Sequence, residues 1–319
     1  MNTTRPMGRL CVEAWSPDYG APLEDGGQGD EPVDVDLAVE LPVERWRPIR
    51  PAPVDRSTVA FVDGVRRIDA SLLWSTDDGQ YHPGLAASVA AGVVTCNGRA
   101  EISRLEIDRV VLLPVEVPTV RTRHGLVWRY RPTRSRRDDP GQLSIELQQV
   151  MADLEVGVAE GAAVTAEAAG DELAMVVIDG PIRRREQVRN AVGHIKTHHH
   201  RYLPPAAVGV IAELEPGERT PLFAIGGGFP RLSWYLRLPC SREHAWSGVV
   251  RNEIAVAPVE AAQALADRAA ATLPRFASRA ARDPRAPQNL TPVGGLESRL
   301  RHRLGEPTLL YRALRDALA

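Results

Sequence analysis

From Thr58 onward the apolar positions fall into short runs separated by polar punctuation. Thr58-Val59-Ala60-Phe61-Val62 is a β-rich run that stops at Asp63-Gly64, and Arg67 to Trp74 reads as the returning strand of a hairpin. Ala87 to Cys96 and Val110 to Val117 supply two more strand-like runs. Gln142 to about Ala169 lacks proline, and Leu143, Leu147, Val150, Leu154, Val158 and Ala162 recur at three- and four-residue steps. That period predicts an amphipathic helix. Leu173 to Ile178 is apolar on both faces, as a doubly covered central strand requires, and it too stops at an Asp-Gly pair, Asp179-Gly180.

Downstream the pattern predicts a helix through Arg184 to Ala191, strands at Val208 to Leu214, Leu222 to Ala224 and Ser233 to Leu238, and an Ala-rich helix over Glu260 to Ala281. The tail from Leu296 to Leu318 reads as helical, broken near Pro307. Residues 1–55 are rich in Pro, Gly, Asp and Glu and lack a sustained period, which predicts an extended N-terminal arm ahead of one domain over 56–319. Within the arm, Val33 to Val39 alternates apolar and acidic residues and could form an edge strand, although a loosely packed surface segment is the expectation. The succession of strands, a long helix and a further strand predicts an α/β fold with a mixed sheet flanked by helices.

Composition adds exclusions. The 319 residues carry a net charge of -2, so nucleic-acid contact would have to come from local arginine clusters and not from a basic coat. No apolar run is long enough to span a bilayer and the N-terminus lacks a signal pattern, so a cytoplasmic protein without a membrane association is expected. Cys11, Cys96 and Cys240 are odd in number and widely separated, which indicates neither a disulfide framework nor a thiolate zinc site. Among 39 basic residues only Lys196 is lysine. A coding bias towards arginine accounts for the rest, and the position that stayed lysine is a candidate for chemistry that suits a compact ammonium.

The two Asp-Gly pairs carry the chemical signal. Each follows a strongly apolar run and each is trailed by arginines, Arg66 and Arg67 in the first case, Arg183, Arg184 and Arg185 in the second. Asp-Gly on its own commonly makes a turn. Two carboxylates at the tips of neighbouring strands would instead repel each other, an arrangement made favourable by a divalent cation, and hard oxygen ligands select magnesium or manganese. A third carboxylate is expected from the intervening helix, where Glu155 near its middle is preferred over Glu146 and Glu160. Activation of a water by metal and hydrolysis of a phosphodiester would follow. Arg66, Arg67, Arg183, Arg184, His198 and Arg201 are the expected nucleic-acid contacts, and Arg129-Tyr130-Arg131 with Arg134, Arg136 and Arg137 could form a single-strand track.

The order of Val62-Asp63-Gly64, Leu154-Glu155 and Ile178-Asp179-Gly180, followed by Val192-Gly193-His194-Ile195-Lys196 and Trp234-Tyr235-Leu236-Arg237-Leu238, resembles the NurA nucleases over roughly residues 55–305. The resemblance implies an RNase H-like fold, manganese-stimulated cleavage of DNA in end processing and repair, a homodimer and a HerA-like hexameric ATPase as partner. It also implies Asp63, Glu155 and Asp179 as an acidic triad holding the metal, with Lys196 and Arg237 near the scissile phosphate. The chain departs from the family at the C-terminal ligand, where Glu297 or His302 stands in place of the usual histidine segment. An inactive or weakened dimeric adaptor that seats a translocase is the alternative that this departure keeps open.

Overall fold

The computed structural model describes residues 8–12, 34–54, 57–77, 79–122, 128–136, 139–170, 173–198 and 202–319. Three long antiparallel strands, β3 (Val59–Thr76), β4 (Tyr81–Asn97) and β5 (Arg99–Leu113), follow the short β1 (Gly8–Val12) and β2 (Val35–Asp36). After β6 (Val120–Arg121) and β7 (Arg129–Arg134) comes the long helix α1 (Pro140–Ala168), then β8 (Met175–Asp179) and β9 (Ala191–Ile195). The C-terminal part holds α2 (Pro205–Glu213), β10 (Phe223–Ile225), β11 (Arg231–Arg237), β12 (Val249–Ala255), α3 (Val259–Thr272), α4 (Thr291–Arg303) and α5 (Pro307–Leu318).

These strands form one twelve-stranded sheet in the order β2-β10-β11-β12-β9-β8-β3-β4-β5-β7-β6, with β1 added beside the far half of β3. Strand β4 runs antiparallel to both neighbours, whereas β8 is parallel to β3 and β9 parallel to β8. This is the expected mixed sheet flanked by helices, with three antiparallel strands, a helix, and two strands parallel to the first. One face, through Ala60, Val62, Val176 and Ile178, packs on Val156, Val158, Ala159 and Ala162 of α1. The opposite face, through Val59, Phe61, Met175 and Val177, packs on α3 and α4. Alternation along each strand therefore decides which helix layer a side chain meets.

Several expectations are corrected. Asp63-Gly64 is no turn: β3 continues through it for 18 residues, and the hairpin closes instead around Gly79, whose φ is +81°. Unbroken pairing with β4 from Val59 to Ile68 offers every backbone group a partner, which outweighs the local turn preference of the dipeptide. Arg184 to Ala191 is a series of turns, and the helix expected there is absent; β9 begins at its end. Val208 to Leu214 belongs to helix α2, started by Pro204-Pro205 and buried through Ala207, Val210 and Ile211 at helical spacing. Helix α3 ends at Thr272, ahead of Pro274. Strand β12, which carries the buried polar residues Arg251, Asn252 and Glu253, was hidden by them from a search for apolar alternation.

The described part of the expected arm is docked. Strand β2 caps the sheet edge on β10, Trp46 is buried, and Glu40 accepts from both terminal nitrogens of buried Arg219, at 2.8 and 2.9 Å. Residues 13–33 of the arm lie outside the described residues.

Candidate functional site

The parallel register between β3 and β8 runs Val59↔Met175 to Val62↔Ile178, so the next step brings Asp63 beside Asp179. Both follow the odd positions Phe61 and Val177 and hence face the α3/α4 layer. Burial pushes the Asp63 carboxyl well above the usual carboxylate range, and the charges of Asp179 and Glu155 push it the same way. Asp63 keeps one local bond, its Oδ1 accepting from the Gly64 N–H at 2.9 Å. Asp179 Oδ2 accepts from Lys196 Nζ at 2.6 Å, while its Oδ1 is buried with no hydrogen-bond partner among the described residues.

Lys196 extends past the end of β9 and divides its ammonium between Asp179 and Asn289 Oδ1, the latter at 2.8 Å. Asn289 in turn donates to Asp283 Oδ2. Beside this chain of contacts, His194 is completely enclosed: Nε2 donates to the Gln288 carbonyl at 2.9 Å and Nδ1 lies 3.1 Å from the Asn252 side-chain amide. Burial holds its pKa below the ordinary histidine value, and the ring bridges the sheet and the 283–290 segment.

Glu155 is brought close by a different route. It lies on α1, across the sheet, and its Oε1 rests against Gly64, where a Cβ would stand only 2.4 Å away. Gly64 is therefore required for space. Gly180 is required for conformation, at φ +117°. Glu155 Oε2 receives Arg185 Nε at 2.6 Å and also its NH2, and Arg185 NH1 donates to the Pro181 and Arg183 carbonyls. Burial pushes the Glu155 carboxyl up to about 7 although Arg185 pulls the other way. The expected triad is thus two carboxylates on one face and a third behind them, committed to an arginine.

Arg237, expected near a phosphate, is buried among backbone carbonyls, donating to those of Leu214, Ile211, Ala245 and Ser247. It fastens β11 to the segments around it. His198 packs between Tyr235 and Trp246 and donates to the Val249 carbonyl at 3.0 Å, so its ring is part of an aromatic cluster. Arg67 is taken up by Asp69 and the Leu304 and Gly305 carbonyls, and Arg66 reaches Ser144 Oγ at 3.2 Å. Arg183 and Arg184 are exposed on the loop after β8, and Arg201 lies outside the described residues. The single-strand track loses its aromatic member, because Tyr130 is fully buried and donates to Asp69. Arg185, Asn289 and His194 were missed as members of the site; the apolar-then-Asp pattern had drawn attention to the strand tips and away from the segments that fold over them.

Among the described residues, no three His, Cys, Asp or Glu side chains are arranged to hold a metal ion as they stand. The donor chemistry on the α3/α4 face nevertheless suits a hard divalent cation. It offers two adjacent carboxylates, Asp63 pushed well above the usual carboxylate range by burial and by the charge of Asp179, and an orphaned buried oxygen on Asp179. Glu297 on α4 is a third acid on this face and also raises the Asp63 pKa, but it is already paired with Arg285 at 2.7 Å and Arg301 at 2.8 Å. His302 is exposed and takes no part. No helix of the described residues is long and apolar enough to cross a membrane.

No protein-family model matches the sequence, and no curated protein matches it. Among solved structures, this chain is similar to the crystal structure of the NurA nuclease from Sulfolobus solfataricus, with 9% sequence identity, 86% of this chain and 89% of that chain covered, and a TM-score of 0.48.

Proposed function

We propose that the chain is a divalent-metal-dependent nuclease that hydrolyses phosphodiester bonds in DNA, with manganese or magnesium held by Asp63 and Asp179. The observation that carries this reading is the register that sets these two carboxylates side by side on neighbouring parallel strands. A bound cation would supply charge neutralisation at the phosphate and a more acidic water. The chain's own residues prepare the place. Asp63 and Asp179 would hold the cation, Asp179 through Oδ1 because Lys196 occupies Oδ2. Lys196 fixes the Asp179 rotamer against Asn289 and leaves a positive charge next to the position of a phosphate. Behind the strands, the Glu155–Arg185 pair neutralises itself and props the tip of β8 through the Pro181 and Arg183 carbonyls.

The resemblance to NurA nucleases extends this reading to a homodimer working in DNA-end processing with a HerA-like translocase. The test is cleavage of linear DNA with manganese by the wild type and by Asp63→Asn and Asp179→Asn. Each substitution is expected to lower the rate at least ~1000-fold, the scale of losing a metal-ligand contribution to transition-state charge. Undiminished cleavage by both variants would remove the mechanism.

A second reading rests on the cations already seated at the acids. Lys196 on Asp179 and Arg185 on Glu155 balance two of three carboxylates without metal, as a non-catalytic dimeric DNA-binding adaptor for a translocase would need. Absence of cleavage together with intact partner binding would favour it.

A further inference from the structure

A groove with a volume of about 1070 Å³ opens between the 274–285 segment and the first turns of α4. Five arginines line it, Arg275, Arg279, Arg282, Arg285 and Arg301, against two carboxylates, Asp283 and Glu297. Both acids are already answered, Glu297 by Arg285 and Arg301 and Asp283 by Asn289 and Arg285. Arg279 and Arg282 are exposed and, among the described residues, have no ion pair. The groove therefore holds a surplus of guanidinium charge with two forks uncommitted. Its α4 wall presents Thr291, Gly294 and Gly295, the opening turn of a 13-residue helix, where backbone N–H groups add to the positive potential.

Two of its lining residues connect it to the carboxylates. Asp283 receives the Asn289 amide, whose oxygen holds Lys196, whose ammonium holds Asp179. Glu297 stands on α4, which packs against β3, the strand that carries Asp63. The groove thus lies next to the carboxylate pair, joined to it through Asn289 and Lys196. No aromatic side chain lines the groove, so it offers nothing for bases to stack on.

We infer that this groove seats the sugar-phosphate backbone of a DNA strand and leads it to Asp63 and Asp179, with Arg279 and Arg282 as the phosphate contacts. The inference rests on the proposed nuclease reading for its substrate class, but it concerns binding and is tested without catalysis. Contacts of this kind position a strand without reading its sequence, and they weaken with salt.

The experiment measures fluorescence anisotropy of a labelled oligothymidylate with the full chain in EDTA, over a series of salt concentrations. Arg279→Gln/Arg282→Gln and Arg279→Glu/Arg282→Glu are compared with wild type and with Arg47→Glu, an exposed arginine outside the groove. The Gln pair is expected to lower affinity about tenfold and to reduce the slope of log K against log salt by about 1.4, the value for two lost phosphate contacts on a single strand. The Glu pair should lower affinity further, while Arg47→Glu leaves it within about twofold. Unchanged affinity and slope in the Gln pair, or an equal loss with Arg47→Glu, would overturn the groove. Loss of binding in the groove variants alongside a wild type that never cleaves DNA would instead keep the groove and remove the nuclease reading.

Discussion

Asp63 shows how the site is tuned one residue at a time. Its carboxyl is nearly enclosed, borders Asp179, and has the Gly64 N–H as its local donor. An acid whose folded pKa lies above its unfolded value takes up a proton on folding, so stability falls as pH rises through the interval between the two. Glu155, raised from 4.5 to about 7, adds to the same loss over that window. Asp63→Asn removes the Asp63 share. It is expected to raise Tm by about 2–6 °C at pH 8 and to leave Tm nearly unchanged at pH 4, where the wild-type acid is protonated anyway. Equal shifts at both pH values, read by calorimetry, would show that Asp63 carries no charge cost. Metal binding has the opposite dependence, because it requires the carboxylate.

At the scale of elements, β3, α1 and β8 are held in mutual position by an absence of atoms at Gly64. Met151 and Glu155 of α1 approach the strand so closely that a methyl group there would meet Met151 Cγ at 2.9 Å and Glu155 Oε1 at 2.4 Å. Gly64→Ala is expected to destabilise the protein by about 1–3 kcal/mol, read from chemical denaturation, because the helix must move or the Glu155–Arg185 pair must break. An unaltered denaturation midpoint would mean that α1 is free to shift. These elements differ in how legible they were from sequence. Helix α1 was readable because its apolar positions repeat at helical spacing from Leu143 to Ala162, and β8 because it is apolar on both faces. Strand β12 and helix α2 were not, the first because Arg251 and Glu253 pair with each other and with Arg231 inside the core, the second because a nine-residue apolar segment fits either period.

Across the whole molecule, the chain folds so that residues more than a hundred positions apart share one small volume. Asp63 and Asp179 were legible because each ends an apolar stretch in the same way, and the parallel pairing of β3 with β8 unites them. The identity of their neighbours was not legible. Lys196 was singled out by its rarity, but Asn289 and Asp283 come from a loop whose sequence resembles any other polar connection, and only the packing of α4 on the sheet brings that loop over the strand tips. Glu155 was singled out by its position on the helix, but its pairing with Arg185 was not legible, since helical spacing does not report the path of the Arg185 loop. The claim on which the function depends is that the two aspartates bind one cation together. Calorimetric titration of manganese into wild type, Asp63→Asn and Asp179→Asn at pH 8 tests it most directly: the account predicts saturable binding in the wild type, lost in both variants, whereas equal binding by all three, or none by the wild type, would contradict it.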